Sequence, residues 1–298
     1  MVYLPSCVTR MMGPARGDEA EGSVPDRLLS LCAKAGYQVV YPEGVSALCC
    51  GMMFNSRGFA STAAGKSDEL EAALLRASQN GKYPIVVDTS PCLKQMKESF
   101  SSPLLKVLCP AAPPALLSKP RLHVLAKGGG GGMVHGVNAY AKDCSRANGE
   151  IAPIVSLFSA PKMGALYEPV AFIDKFLADR LEFSRVKDSV AIHVPCSSKK
   201  LGLEPAFARL AAKCADKVHA SGVPCCGMAG DRGMRYPELT GGALQHLALP
   251  AGCTDGYSTS RTCEMSLSNH SGVHFRGLVH LVDQATKPKA AVAAAGKP

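Results

Sequence analysis

The stretch Cys225-Cys226-Gly227-Met228 has a close counterpart, Cys49-Cys50-Gly51-Met52, in the first half of the chain. Each vicinal pair has a single cysteine upstream, near a proline at the end of an apolar run, and another downstream in a turn rich in Ser and Thr. These single cysteines are Cys7, Cys92, Cys196 and Cys263. We therefore expect one half of the protein to repeat the other, with four thiols in each half.

Short apolar runs and helical patterns alternate around these cysteines. Val2 to Leu4 and Tyr37 to Tyr41 have the character of buried strands, with the helical pattern of Val24 to Ala35 between them. The same order returns later, where the strand Val190 to Val194 precedes the helix Pro205 to Cys214. Such alternation predicts parallel sheets covered by helices. The predicted fold class is α/β, with two similar Rossmann-like βαβ halves that contain parallel sheets and are joined by a Gly/Pro-rich insertion.

Composition divides the chain into four segments. The first half is predicted at 1–108 and the second at 151–286. Between them, 109–150 contains a Pro-Pro pair and five consecutive glycines, a composition that buries little apolar area, and we predict a low-order linker there. The Ala-, Lys- and Pro-rich segment 287–298 is predicted to be a disordered tail. Within the second half, Tyr167 to Leu181 has the pattern of an amphipathic helix.

The overall composition narrows the classes of function. The 298 residues carry a formal charge of +9, but the basic residues are scattered, so no nucleic-acid partner is expected. No apolar run approaches the roughly 18 residues of a spanning helix, and neither a transmembrane segment nor a signal or transit peptide is predicted. The 13 cysteines favour metal or redox chemistry in a reducing compartment. The cytoplasm and the mitochondrial matrix both fit this expectation.

The repeat predicts two cysteine sets. Set one is Cys7, Cys49, Cys50 and Cys92, and set two is Cys196, Cys225, Cys226 and Cys263. Their spacing is far wider than that of zinc ribbons. If each cysteine follows a strand, the loops at the C-terminal edge of an open α/β sheet bring the thiols together. All eight are predicted to bind a metal cofactor, with Gly51 and Gly227 freeing the turn so that both vicinal thiols point forward. No catalytic residue is predicted.

The residues around the two sets have simpler interpretations. Buried small hydrophobic roles are predicted for Cys32, Cys109, Cys144 and Cys214. Cys253 stays open between that role and a ligand. Arg57, Arg232 and Arg261 lie beside the cysteine motifs in sequence. Their positive charge would stabilise the reduced state of a metal cluster bound by the cysteines, or they would form ordinary salt bridges. His193 is predicted to be a hydrogen-bonded structural residue.

Three strings carry a family resemblance. They are His193-Val-Pro-Cys-Ser-Ser-Lys-Lys200, Cys225-Cys-Gly-Met-Ala-Gly-Asp-Arg-Gly233 and Gly256-Tyr-Ser-Thr-Ser-Arg-Thr-Cys-Glu264. Together with the cysteines of the first half, they resemble the duplicated cysteine-rich CCG domain. That domain occurs in heterodisulfide reductases, in the iron–sulfur component of glycolate oxidase and in the C-terminal part of FAD-linked D-lactate dehydrogenases. The resemblance covers residues 1–108 and 151–286.

This resemblance implies an iron–sulfur electron-transfer module of a FAD-dependent D-lactate or related 2-hydroxy acid dehydrogenase, which would not be catalytic alone. The two cysteine sets would hold one or two iron–sulfur clusters of the 4Fe-4S type, and FAD would belong to a partner flavoprotein subunit or domain. Electrons would pass to a cytochrome or a quinone, a role compatible with peripheral membrane association. Thr89 and Ser260 replace the first cysteine of the Cys-x-x-Cys motif found in heterodisulfide reductase-like members, which leaves four thiols in each set.

Two other classes of function remain open. A structural zinc protein that acts as a binding scaffold would contain stoichiometric zinc and show no visible absorption. A thiol–disulfide redox protein would use a vicinal pair as its reactive centre and would depend on Cys225 without binding a metal.

Overall fold

The computed structural model of the chain describes residues 1–15, 17–100 and 165–290. The predicted low-order insertion at 109–150 lies outside the described residues, and so do positions 291–298 of the predicted tail.

Two parallel sheets form the framework of the described residues. The strands, in chain order, are β1 Val2–Leu4, β2 Ile85–Val87, β3 Leu166–Tyr167, β4 Leu181–Phe183, β5 Lys187–Ile192, β6 Ala215–Ala220, β7 Asp255–Ser258, β8 His274–Gly277 and β9 Thr286–Pro288. The first sheet has the order β1-β2-β3 and the second the order β6-β5-β7-β8, with every pairing parallel. β4 and β9 form a small antiparallel pair. The mixed α/β class with parallel sheets is confirmed.

Helices occupy most of the connections between strands. In chain order they are Cys7–Met12, Val24–Lys34, Met52–Asn55, Ala60–Ala77, Ser90–Ser99, Pro169–Phe172, Cys196–Lys200, Glu204–Cys214, Arg232–Arg235, Pro237–Leu244, Arg261–Ser271 and Leu278–Gln284. Short 3-10 turns occur at Glu19–Glu21 and Ala178–Arg180, and the segment Ile173–Leu177 is π-helical. Throughout the described ranges, each helix is too short or too polar to cross a lipid bilayer.

The helix Val24–Lys34 shows how local sequence sets an element. Ser23 precedes it, and its side chain accepts a hydrogen bond from the backbone N–H of Asp26. The carboxylate of Asp26 accepts the backbone N–H of Ser23 in return, at 2.7 Å, so two unpaired donors are satisfied reciprocally. Leu28 and Leu31 then fall on one buried face. Capping therefore fixes where this helix begins, and the apolar stripe fixes which side faces the core.

The largest apolar cluster joins the two parallel sheets. It contains Tyr3 and Val86 of the first sheet together with Val190 and Tyr257 of the second. All four side chains are almost completely buried. Each sheet also has a smaller cluster of its own on another face. The two sheets therefore share one core, and removing either would expose apolar area on the other.

The first long helix packs against the last. Asp283, in the helix Leu278–Gln284, accepts hydrogen bonds from Ser30 Oγ and Lys34 Nζ, each at 2.7 Å, and from Arg27 Nη1 at 3.1 Å. The Asp283 side chain is 3% exposed, so its charge depends on these donors. The contact ties residues near the beginning of the described chain to residues near its end.

Several described elements differ in detail from the sequence pattern. The predicted strand Tyr37 to Tyr41 is reduced to one parallel bridge between Val40 and Val2. The helix expected from Tyr167 to Leu181 begins at Pro169, because Leu166–Tyr167 pairs with β2 in the first sheet. At the other end, Lys287 and Pro288 of the expected tail are paired in β9. The last two differences arise from pairing with a strand that is distant in sequence.

Candidate functional site

The four single cysteines lie at the beginnings of helices. Cys7 and Cys196 are the first residues of the helices that follow β1 and β5. Cys92 and Cys263 are the third residues of the helices Ser90–Ser99 and Arg261–Ser271, which follow β2 and β7. The expectation that these thiols follow strand ends therefore holds.

The vicinal pairs have the same local geometry in both sets. Gly51 and Gly227 adopt φ angles of 79° and 77°, in the left-handed region that favours glycine. The N–H of each glycine lies 3.4 Å from the sulphur of the first cysteine of its pair, Cys49 or Cys225. The turn places the vicinal thiols in corresponding loops of the two halves. Its glycine N–H donates toward the sulphur of the first cysteine of the pair.

Both glycines also lie against the backbone of a following helix. A Cβ atom added to Gly51 would be 2.5 Å from the carbonyl oxygen of Ala63, and one added to Gly227 would be 2.4 Å from that of Leu239. Real Cβ atoms do not approach so closely, so no larger residue fits at either position without movement of the backbone. Glycine is therefore required at these positions for packing as well as for its φ angle.

The thiols of set one interact in series, each with the next. Burial, and then the nearby Cys49, raise the pKa of Cys7. The interaction with Cys50, followed by burial, raises the pKa of Cys49. Cys49 lowers the pKa of Cys50, but Cys92 and burial outweigh it and bring that pKa to about 12. Electrostatic interactions thus link the members of set one in pairs, Cys7 with Cys49, Cys49 with Cys50 and Cys50 with Cys92.

The thiols of set two are also together, with one closer contact. The sulphur atoms of Cys226 and Cys263 are 3.0 Å apart. The hydrogen bond between them lowers the pKa of Cys226 to about 7 and raises that of Cys263. Burial is the largest cause of the raised pKa of Cys225, with smaller contributions from Cys226 and Cys196. All four predicted residues of set two are therefore neighbours, and one pair shares a proton.

Neither set is closed around a single point. Within residues 1–15, 17–100 and 165–290, no group of three or more Cys, His, Asp or Glu side chains has the arrangement that would hold one metal ion. The described thiols are linked pairwise along each set.

The two motif tails contact each other across the molecule. Arg57, after the first vicinal pair, bonds Asp231, after the second, at 2.6 Å. Arg232 donates to the backbone oxygen of Ser56 at 3.1 Å. Arg261 instead bonds Glu264 at 3.3 Å and the backbone oxygen of Pro14 at 2.9 Å. Three guanidinium groups thus lie near the cysteine motifs, and two of them pair with carboxylates.

The remaining described cysteines, Cys32, Cys214 and Cys253, are buried. Cys32 and Cys214 are fully buried on helix faces, and burial raises the pKa of each to about 12. Cys253 is also buried, with its sulphur 3.6 Å from the backbone oxygen of Asp255. Cys109 and Cys144 lie outside the described residues. The apolar helix faces of Cys32 and Cys214 were sufficient to predict their role.

His193 is buried at the end of β5. Its Nδ1 lies 2.8 Å from Ser221 Oγ, while Nε2 is buried and has no hydrogen-bond partner. Burial lowers the pKa of His193 to about 4, with a smaller contribution from Lys199, so the ring is neutral at physiological pH. The hydrogen bond to Ser221 agrees with the predicted structural role.

Buried polar groups between the two sets were not foreseen. Ser90 Oγ and Ser197 Oγ, beside Cys92 and Cys196, are 2.6 Å apart. Glu168, after β3, accepts hydrogen bonds from Ser198 at 3.0 Å and from Thr259 at 2.5 Å. Burial raises the pKa of Glu168 to about 7. The only local signal for these groups is that each follows the end of a strand. Their hydrogen-bond partners are distant in sequence, so the pairing itself could not be predicted.

A cleft lies among the loops of the two sheets. It has about 410 Å³ of empty volume, including the part that opens to solvent. Its lining includes Asp88 and Thr89 after β2, and Thr259, Arg261 and Glu264 after β7. The loops before Cys92 and Cys263 therefore also line a cleft, together with the apolar side chains of Val24, Pro169 and Leu278. In comparison with known proteins, the chain matches no family model and no curated sequence.

Proposed function

We propose that this chain is an iron–sulfur electron-transfer module of a FAD-dependent D-lactate or related 2-hydroxy acid dehydrogenase. The observation that carries the proposal is the assembly of two thiol sets. In each, electrostatic or hydrogen-bond interactions link cysteines from three separate segments of sequence. Four thiolates are the usual ligand set of an iron–sulfur cluster.

We further propose that the two halves are copies of one unit, similar to the CCG domain. The supporting features recur in order: a cysteine opens one helix, a vicinal pair precedes a left-handed glycine, and a cysteine is third in another helix. The glycine packing also recurs at one spacing, since Ala63 follows Gly51 by 63 − 51 = 12 residues and Leu239 follows Gly227 by 239 − 227 = 12. Chance similarity of two cysteine pairs would not reproduce that spacing.

The residues present fit a cluster by their donor chemistry. Cys7, Cys49, Cys50 and Cys92 would hold one, and Cys196, Cys225, Cys226 and Cys263 a second. A bound cluster would supply the capacity to accept and release single electrons. The N–H groups of Gly51 and Gly227 donate toward sulphur and favour its anionic form. Arg57 and Arg232 place positive charge near the same loops.

The flavin chemistry belongs elsewhere in this proposal. FAD on a partner subunit or another domain would supply the hydride chemistry on the hydroxy acid, and this chain would relay the electrons to a cytochrome or quinone. The resemblance of the three motif strings to the D-lactate dehydrogenase class supports this assignment of substrate and partner. We assign no catalytic residue to the chain.

Anaerobic reconstitution with iron and sulfide tests the proposal. We expect a brown protein with stoichiometric iron and sulfide, and a reduced-state electron paramagnetic resonance signal. Cys49→Ser and Cys225→Ser, one in each set, should each lower the iron content by about half. Cys214→Ser, which changes a buried thiol outside both sets, is the matched control and should load fully. A colourless protein without iron would contradict the proposal.

One experimental outcome and one observed distance bear on the other classes of function. Stoichiometric zinc without visible absorption would indicate a structural metal site. In a tetrahedral zinc site, sulphur atoms are about 3.8 Å apart, given Zn–S bonds of about 2.3 Å. The 3.0 Å separation of Cys226 and Cys263 is shorter than that and favours thiol–disulfide chemistry at this one pair.

A further inference from the structure

Cys226 and Cys263 are closer together than ordinary packing requires. Their sulphur atoms are 3.0 Å apart, whereas non-bonded carbon atoms, which are smaller than sulphur, prefer about 3.5–4.0 Å. The S–S bond of a disulfide is about 2.05 Å long. The two thiols therefore need to approach by only about 1 Å to reach bonding distance.

The backbone around both thiols is fixed by other contacts. Ser266 Oγ donates to the backbone oxygen of Cys226 at 2.7 Å. The neighbouring Gly227 lies against the backbone of Leu239. Cys263 belongs to the first turn of the helix Arg261–Ser271. Since both backbones are held, the proximity of the thiols is a property of the folded chain and does not depend on a mobile loop.

Set one differs at the equivalent position. Cys92 raises the pKa of Cys50, but no sulphur–sulphur distance as short as that of Cys226 and Cys263 is described for set one. The vicinal pairs are poor alternatives, because adjacent cysteines in a turn are joined through a strained ring when they form a disulfide. Cys226 and Cys263 are thus the described pair best placed to bond.

We infer that Cys226 and Cys263 are a site of oxidative modification, at which hydrogen peroxide produces an intramolecular disulfide. One thiol reacts with peroxide to give a sulfenic acid and one water. The other thiol then attacks that sulphur, and a second water leaves. In total, two thiols and one peroxide yield one disulfide and two waters. A small oxidant is required because the two residues are only 4% and 7% exposed.

This modification competes with cofactor binding at set two. The disulfide removes two of its four thiols, so the oxidised chain should fill only set one. That consequence rests on the proposed function, whereas disulfide formation itself does not. The site would then report oxidising conditions by losing one of two cofactor positions, and a thiol reductant would restore it.

Peroxide treatment of the reduced, metal-free full chain tests the inference. One equivalent should remove two of the 13 thiols and give a peptide that links Cys226 to Cys263 in mass spectrometry. Cys92→Ser, the matched change in set one, should still give this linked peptide, and Cys263→Ser should not. If Cys263→Ser fails to fold, the mapping of the wild-type chain decides alone. A different linked pair, or sulfinic acid without a disulfide, would overturn the inference.

Iron loading separates this inference from the proposed function. If the disulfide forms but the reduced chain binds no iron, the modification stands and the electron-transfer proposal fails. If the reduced chain fills both sets and peroxide gives no Cys226–Cys263 disulfide, the modification fails and the electron-transfer proposal stands. If both hold, the oxidised chain should take up about half as much iron as the reduced chain.

Discussion

The two cysteine sets have the same backbone placement and different side-chain packing. Cysteines open the corresponding helices, and the glycines at 51 and 227 share a left-handed conformation. Only set two has two sulphur atoms in hydrogen-bond contact, between Cys226 and Cys263, among the described hydrogen bonds. Its glycine is also more tightly enclosed. The comparison teaches that strand ends and turns determine where the thiols lie, whereas neighbouring helices determine how closely they approach.

The largest expected effect comes from filling the space beside the two glycines. In Gly227→Ala, the new Cβ would lie 2.4, 2.6 and 2.8 Å from backbone atoms of Leu239 and Thr240, so we expect a loss of about 4 kcal/mol in the free energy of unfolding. In Gly51→Ala, the new Cβ would lie within 3.0 Å of only one atom, the carbonyl oxygen of Ala63. We therefore expect a smaller loss, about 3 kcal/mol, in the free energy of unfolding. Urea denaturation measures both.

Two other glycines provide matched controls. Gly58 and Gly230 have φ angles of 89° and 80°, but a Cβ added to either would meet nothing within 4 Å. Alanine at these positions should therefore cost only the backbone strain, about 1 kcal/mol. Equal losses for all four variants would show that packing behind the vicinal pairs contributes nothing, and the difference between the sets would disappear.

A smaller effect is expected from the buried carboxyl that joins the two sheets. Glu168 follows the last strand of the first sheet and bonds Ser198 and Thr259, which follow strands of the second sheet. Gly277 holds the corresponding place as the residue before the next helix, Leu278–Gln284, and has no side chain. Because burial raises the pKa of Glu168 from 4.5 to about 7, folding favours its protonated form.

The sign of the pH dependence follows from proton binding. Between pH 4.5 and about 7, the folded chain binds the Glu168 proton more fully than the unfolded chain does. The free energy of unfolding should therefore fall as pH rises through this window, by an amount on the order of 3 kcal/mol from this group. Burial raises the pKa of Glu264 to about 7 as well, so this group adds to the same fall in the free energy of unfolding with rising pH.

Denaturation at several pH values tests this expectation. Glu168→Gln should flatten part of the slope, because the amide does not titrate, while the slope due to Glu264 remains. Glu182→Gln, at an exposed position in β4, is the control and should leave the slope unchanged. An identical slope in wild type and Glu168→Gln would mean that the carboxyl is ionised in the folded chain.

The smallest effect is expected at the contact between the two motif tails. Arg57 and Asp231 bond at 2.6 Å, but their side chains are 41% and 45% exposed. Water and salt screen such a pair, and Arg235 also lies near Asp231. Arg57→Gln should leave the urea midpoint unchanged within error. A clear drop in the midpoint would show that the tails hold the two sets together.

Much of this arrangement could be predicted from sequence because apolar runs mark the central strands. Val2 to Leu4 and Val190 to Val194 are continuous apolar or buried runs, and Cys7 and Cys196 follow them directly. The stripe in Val24–Lys34 and the cap at Ser23 also gave that helix correctly. These signals are local, and the described structure preserves them.

The rest depends on partners that are distant in sequence. β8, with His274 and Arg276, looks too polar for a strand, but both side chains bond Asp18 near the other end of the chain. The strand pattern of Tyr37 to Tyr41 pairs only at Val40, since only that residue bridges β1. The 3.0 Å contact of Cys226 and Cys263 likewise depends on how two segments pack. No spacing rule could supply such a distance.

The contact between Asp283 and the helix Val24–Lys34 has a consequence for synthesis on the ribosome. The early helix emerges long before its partner Leu278–Gln284, so Leu28 and Leu31 lack part of their cover until that partner has also been made. Nascent chains that expose apolar faces for long periods are prone to aggregate and to engage chaperones. A premature stop before residue 278 should therefore yield a product that is cleared by proteolysis, even though it keeps every cysteine of both sets.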